Sequence, residues 1–188
     1  VVISGESGAG KTEASKYVLR SLIHESNKKR GNMEGDANDV ATLLISSNTL
    51  LEAFGNAKTS RNDNSSRFGK YMILRYDEER SIVGARTEHF LLEKSRLVFL
   101  EKGERNYHIF YQVCAAFLSE DVSSEFNYEI AGGKYLKVQD AETYKMLNQG
   151  KTVTITDSEG HLLYDAHEFS ETVKALNTLG VDGDVRFE

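Results

Sequence analysis

The octapeptide Gly5-Glu6-Ser7-Gly8-Ala9-Gly10-Lys11-Thr12 constrains this chain more than any other feature. It fits the pattern G-x-x-x-x-G-K-[ST] at every fixed position. Chance produces such a match in only ~1% of chains of this length. The flanks also fit. Val1 to Ser4 is a short β-rich run, and Glu13 to His24 carries Ala14, Tyr17, Val18 and Leu22 at helical spacing. Strand, glycine-rich turn and helix in that order can wrap a polyphosphate. Gly5, Gly8 and Gly10 let the backbone turn its N–H groups inward, and the helix points the positive end of its dipole at the anion. Lys11 supplies a compact positive charge for the β- and γ-phosphates, and the Thr12 hydroxyl is a suitable ligand for Mg²⁺. The motif predicts nucleotide binding without choosing among kinases, GTPases, transporters and motors.

Further elements follow by periodicity. Glu25 to Asp39 is polar and reads as an exposed loop. Val40 to Phe54 repeats the helical pattern, with Gly55 as its stop. Asn56 to Gly69 breaks both periods and reads as a loop. Tyr71 to Tyr76 and Ser81 to Arg86 form a hairpin around Asp77 to Arg80, and further helices span Asn106 to Leu118 and about Asp165 to Leu179.

Composition excludes several classes. The net charge of −6 gives no global attraction to nucleic acid or anionic membrane, and Lys28-Lys29-Arg30 reads as a solvated loop. The longest apolar run, Val113 to Leu118, is far short of a membrane span. A single cysteine, Cys114, allows no internal disulfide and sits on an apolar stripe, so it is expected in the core. His161 and His167 lack further metal-ligand partners. Val1-Val2-Ile3 reads as the second half of a strand, and Val185 to Glu188 carries no terminating signal, so the chain is expected to be an internal piece of a longer one.

The loop Asn62-Asp63-Asn64-Ser65-Ser66-Arg67-Phe68-Gly69-Lys70 narrows the choice. It offers amide, hydroxyl and guanidinium groups between a helix and a strand. Behind a loop of the form G-E-S-G-A-G-K-T, it resembles switch I of the myosins. The related kinesin loop continues with Ser-His instead of Phe-Gly-Lys. Leu51 to Thr59, Phe90 to Arg96 and Gly103 to Gln112 also resemble myosin, so the likeness covers nearly the whole chain.

The resemblance implies a partial motor domain over residues 1–188. It would hold the P-loop at 5–12, a variable loop at 25–39, switch I at 62–70 and a continuing helical region at 106–188. It implies an α/β fold: a P-loop NTPase core with a mixed, mainly parallel central sheet flanked by helices. It also implies an ATPase that binds Mg·ATP and drives movement along actin filaments in the cytoplasm. Light chains or calmodulin would bind through regions absent from this chain, with neither nucleic acid nor membrane insertion involved.

By the same likeness, Gly5, Glu6, Ser7, Gly8, Ala9, Gly10, Lys11 and Thr12 would hold the nucleotide together with Asn62 and Ser66. Thr12 and Ser66 would ligate Mg²⁺, and Ser7 and Ser65 would help position the attacking water. Arg67 would pair with a glutamate of switch II. No Asp-x-x-Gly-Phe-Glu segment of the switch II type is present, so that carboxylate is expected outside this chain. Asn48-Thr49 departs from the family's Asn-Pro at a helix start. Two other readings stand beside the motor: a nucleotide-binding fragment without hydrolysis, and a P-loop phosphotransferase.

Overall fold

A computed structural model describes residues 1–6, 8–29, 36–119, 129–130, 134–135, 138–156, 162–163 and 165–181. Ser7, residues 30–35, His161 and the stretch Val185 to Glu188 lie outside them, as do parts of the region 106–188.

The glycine-rich loop leads into helix α1 (Lys11–Lys29), and α2 (Asp36–Gly55) follows. Residues 25–29 are therefore helical, as are 36–39, so neither stretch belongs to the loop expected over 25–39. One cause is visible at Ser26, which is buried and accepts a hydrogen bond from the Ile82 N–H at 2.8 Å. That contact ties the end of α1 to the hairpin. In α1 the period is helical but the buried face is shifted. Leu19 is buried, whereas Tyr17 and Leu22 are exposed.

Strands β1 (Asn56–Ala57) and β2 (Ser65–Ser66) pair antiparallel and enclose the loop 58–64. Strands β3 (Gly69–Tyr76) and β4 (Ile82–Phe90) form the expected hairpin. Its turn is closed by the Asp77 carboxylate, which accepts from the Ser81 N–H at 2.7 Å. A 3-10 turn (Lys94–Leu97) leads on to α3 (His108–Leu118). Beyond it come β5 (Glu129–Ile130), β6 (Lys134–Tyr135), α4 (Lys145–Asn148), β7 (Ile155–Thr156), β8 (Leu162–Leu163) and α5 (Asp165–Thr178).

The mainly parallel central sheet does not appear among the described residues. Among the described residues every strand pair is antiparallel and two-stranded. Val1 to Ser4 is not a strand, because no described segment lies alongside it to accept its backbone hydrogen bonds, and Val1 and Val2 are exposed.

Helix α3 is the centre of the packed part. Tyr111 and Cys114 pack with Ala141 and Leu147, so Cys114 is a core residue. Ala116 packs with Phe169 and Val173 of α5. A buried ion pair locks the start of α3 to α5: Arg105 Nη1 and Nη2 donate to the two Asp165 carboxylate oxygens at 3.0 and 2.9 Å. The guanidinium also lies 3.9 Å from the centre of the Tyr111 ring. Burial pushes the Asp165 carboxyl above its usual range, although Arg105 pulls the other way.

Candidate functional site

The glycine-rich loop and the 62–67 loop form opposite walls of a cleft of about 450 Å³. That volume falls in the range of small-molecule sites. Gly8 and Gly10 have φ values of 82° and 78°, which side-chain-bearing residues rarely adopt. This backbone turns the chain into α1 directly at Lys11. The Gly10 carbonyl accepts the Ala14 N–H at 2.8 Å, so the helix is closed from its first turn. Glu13 lies in that turn and complements the dipole. Lys11 Nζ donates to the carbonyls of Gly5 and Glu6, each at 2.6 Å, and so stands within the loop's curve.

The facing wall is shaped by local hydrogen bonds. The Thr59 N–H and hydroxyl both reach the Asn62 carbonyl, and Thr59 Oγ1 accepts the Asn62 N–H at 3.2 Å. Asn62 Oδ1 accepts the Asn64 N–H at 2.9 Å. Lys58 pairs with Asp63. These contacts make the 58–64 segment a compact turn, the use to which Asn- and Ser-rich sequence is suited. The Arg67 N–H then bonds the Gly55 carbonyl at 2.9 Å and returns the loop to the end of α2. Lys70 Nζ donates to Asn48 Oδ1 at 2.7 Å, which anchors the loop's far end to α2.

Of the residues singled out from sequence, Gly8, Gly10, Lys11 and Thr12 meet Asn62, Ser65, Ser66 and Arg67 on the cleft wall. Gly5, Glu6 and Ala9 belong to the same loop but do not line the cleft. Ser65 is buried and its hydroxyl accepts from Arg67 Nη1 at 3.2 Å. The Ser66 hydroxyl donates to the Phe68 carbonyl at 3.2 Å.

Arg67 also meets a residue that the family likeness did not assign to it. Within this chain Arg67 Nε donates to Glu93 Oε2 at 2.6 Å. The hairpin register explains the meeting. Gly69 pairs with Phe90, so the segments just beyond run side by side, and the Glu93 N–H bonds the Arg67 carbonyl at 3.0 Å. The same Glu93 oxygen accepts from Arg96 Nε at 2.8 Å. Arg96 is buried and also holds Glu104 at 3.0 Å. Burial alone would raise the Glu93 carboxyl, but its hydrogen bonds to Arg67 and Arg96 hold it below the usual range.

Two further residues escaped the sequence reading. Asn64 also lines the cleft. His108, the first residue of α3, is buried and reaches Asn64 Oδ1 with Nε2 at 3.1 Å. Burial first, and the Arg105 charge second, lower the His108 pKa to about 3. Counting hairpin register back from Gly69 and Phe90 would have found Glu93. Nothing in the spacing points to His108.

The site is thus a polar cleft between a lysine-bearing glycine loop at a helix start and a loop rich in amides and hydroxyls. The family model for the myosin head (motor domain) matches residues 1–187, and the chain belongs to that family. It is 42% identical over 190 residues to Myosin-2 of Lachancea kluyveri, covering 100% of this chain. It is 41% identical to Myosin-52 of Schizosaccharomyces pombe over 98% of its length, and 39% identical to Myosin IC heavy chain of Dictyostelium discoideum over 96%. The chain spans 11%, 12% and 14% of those three proteins. Among the described residues no helix is long and apolar enough to cross a membrane.

Proposed function

We propose that this cleft binds Mg·ATP and that the protein, as part of a myosin motor, hydrolyses the γ-phosphate to move along actin filaments. One observation supports this above the others: Lys11 and Thr12 share a single cleft with Ser66 and Arg67. Phosphoryl transfer needs little covalent help from a protein. It needs positioning and charge stabilisation, and these residues are suited to supply both.

In this reading the loop amides of 5–12, with the positive end of α1, cradle the phosphates. Lys11 places its charge on the β- and γ-phosphates, and Asn62 contacts them from the facing wall. Ser7 and Ser65 orient the attacking water. Thr12 and Ser66 hold Mg²⁺. Hydroxyls on opposite walls, with no cluster of three or more His, Cys, Asp or Glu among the described residues, suit an ion that takes few protein oxygens and completes its shell with phosphate and water. When bound, the ion neutralises charge on the phosphate oxygens. Arg67 holds its loop closed over the site and keeps water other than the reactant out. The same reading places the full protein on the cytoplasmic actin cytoskeleton, with light chains or calmodulin bound outside this segment.

A second reading is nucleotide binding without hydrolysis. The Arg67–Glu93 pair favours it, because the guanidinium is already engaged. Single-turnover hydrolysis of bound ATP separates the two. The motor reading expects turnover in the wild type. It expects Arg67→Ala to bind ATP with little change yet hydrolyse it on the order of a hundredfold more slowly. A wild type that binds without turning over supports the second reading, and an Arg67→Ala variant of normal rate refutes the role of Arg67.

A further inference from the structure

Asn64 joins the cleft wall to the buried part of the molecule. Its side-chain Oδ1 accepts two hydrogen bonds, from Asn56 Nδ2 at 2.9 Å and from His108 Nε2 at 3.1 Å. Both donors are buried, Asn56 at 1% exposure and His108 at 8%, while Asn64 itself is exposed. Its own amide Nδ2 donates to Glu52 at 3.3 Å, and its N–H closes the turn onto Asn62. With two donors on Oδ1, the orientation of the amide is set. Asn64 stands next to Ser65, between Asn62 and the two serines of the wall.

Asn56 sits at the start of β1, in the same ribbon as the loop it holds. His108 belongs to a different element, the first turn of α3, which is fixed by the Arg105–Asp165 pair and by the packing of Tyr111. His108 is therefore a side-chain tie from the packed helices to this loop, beside the Arg105 N–H on the Lys58 carbonyl at 3.0 Å and the Ala57–Tyr107 bridge. To donate to a carbonyl oxygen, Nε2 must carry the proton. A ring so buried and so close to Arg105 stays neutral, with one donor nitrogen, throughout the physiological range.

We propose that His108 is a positioning residue of the cleft, whose ring donates from Nε2 to Asn64 Oδ1 and so holds the 62–67 loop in register with the glycine-rich loop. The proposal rests on the cleft being a site of ATP hydrolysis only for its effect on turnover. Its effect on the loop is independent of that reading.

The test compares the purified wild type with His108→Phe, which keeps a ring and removes the donor, and with His108→Gln, which offers an amide donor. Hydrogen exchange of the amides of 58–67 is read beside steady-state ATP turnover. The proposal expects exchange in this segment to rise about tenfold in His108→Phe, the worth of one ordinary hydrogen bond, with α1 unchanged and His108→Gln close to wild type. It expects kcat to fall by about the same factor with KM nearly unchanged. Adding Asn64→Ala to His108→Phe should lower kcat no further than Asn64→Ala alone.

Unaltered exchange over 58–67 in His108→Phe overturns the proposal. So does exchange raised equally throughout the molecule, which would make His108 a residue of general packing. If His108→Phe does not fold, the His108→Gln variant decides: wild-type protection supports the tie, and a loosened 58–67 segment in an otherwise protected protein overturns the claim that a donor suffices. A wild type without ATP turnover, whose 58–67 segment still loosens in His108→Phe, would defeat the hydrolytic reading and leave the tie in place.

Discussion

Acid should destabilise this protein through His108 in a way that can be isolated. Its folded pKa is about 3, against an ordinary value of 6.5. Between these values the unfolded chain binds a proton that the folded protein excludes, so stability rises with pH and is lost as pH falls below 6.5. Moving from about pH 7.5 to about pH 5 then removes ~2 kcal/mol, the linkage integral for one such group at 1.36 kcal/mol per unit.

The assay is urea unfolding at both pH values, for the wild type and for His108→Gln. With a slope near 2–3 kcal/mol/M, the wild-type midpoint should fall by just under ~1 M more than that of the variant. The comparison cancels groups common to both proteins. These include Glu93, whose lowered pKa acts in the same direction, and Asp165 and Glu168, whose raised pKa values act oppositely. Equal midpoint shifts in the two proteins would refute the argument, because His108 would then be free to take up its proton in the folded state.

Other consequences follow from single contacts. Glu93→Gln removes the charge shared by Arg67 and the buried Arg96 and should lower stability by about 1–3 kcal/mol at neutral pH, read by urea unfolding. That loss should shrink on acidification, because Glu93 has a lowered pKa and its contribution disappears once it is protonated. A Cβ at Gly55 would lie 2.4 Å from Phe68 Cε1, so Gly55→Ala must displace the ring at the end of the cleft loop. A loss of ~1–3 kcal/mol in thermal unfolding is expected, and an unchanged midpoint would mean that the ring moves freely.

The parts legible in the sequence were those set by local chemistry. The glycines before Lys11, the period of Tyr107, Tyr111 and Cys114, and the turn residues Asp77 to Arg80 each specify their own conformation. The sheet was not legible in this way. Val1-Val2-Ile3 has strand composition, but a strand also needs a neighbour, and composition cannot say whether one lies alongside. The helix face of α1 was misplaced for a related reason. Leu22 is as apolar as Leu19, and what packs beside the helix decides which of them is covered.

The cleft was read half from each side. Lys11 and Thr12 announced themselves by type and spacing, and Ser65, Ser66 and Arg67 by the resemblance of their loop to switch I of the myosins. Glu93 and His108 are separated in sequence from the groups they hold, by 26 residues for Arg67 and 44 for Asn64. Their pairing follows from hairpin register in one case and from helix packing in the other, and a single sequence displays neither.

The central claim is that the cleft between residues 5–12 and 62–67 binds Mg·ATP through Lys11. Equilibrium titration of the purified protein with Mg·ATP, beside Lys11→Ala, tests it most directly. The account predicts saturable binding at one site by the wild type, and affinity lower by on the order of a hundredfold in the variant, about 3 kcal/mol for removing one partner of a charge pair with phosphate. Equal affinities, or a wild type that does not bind, would contradict it.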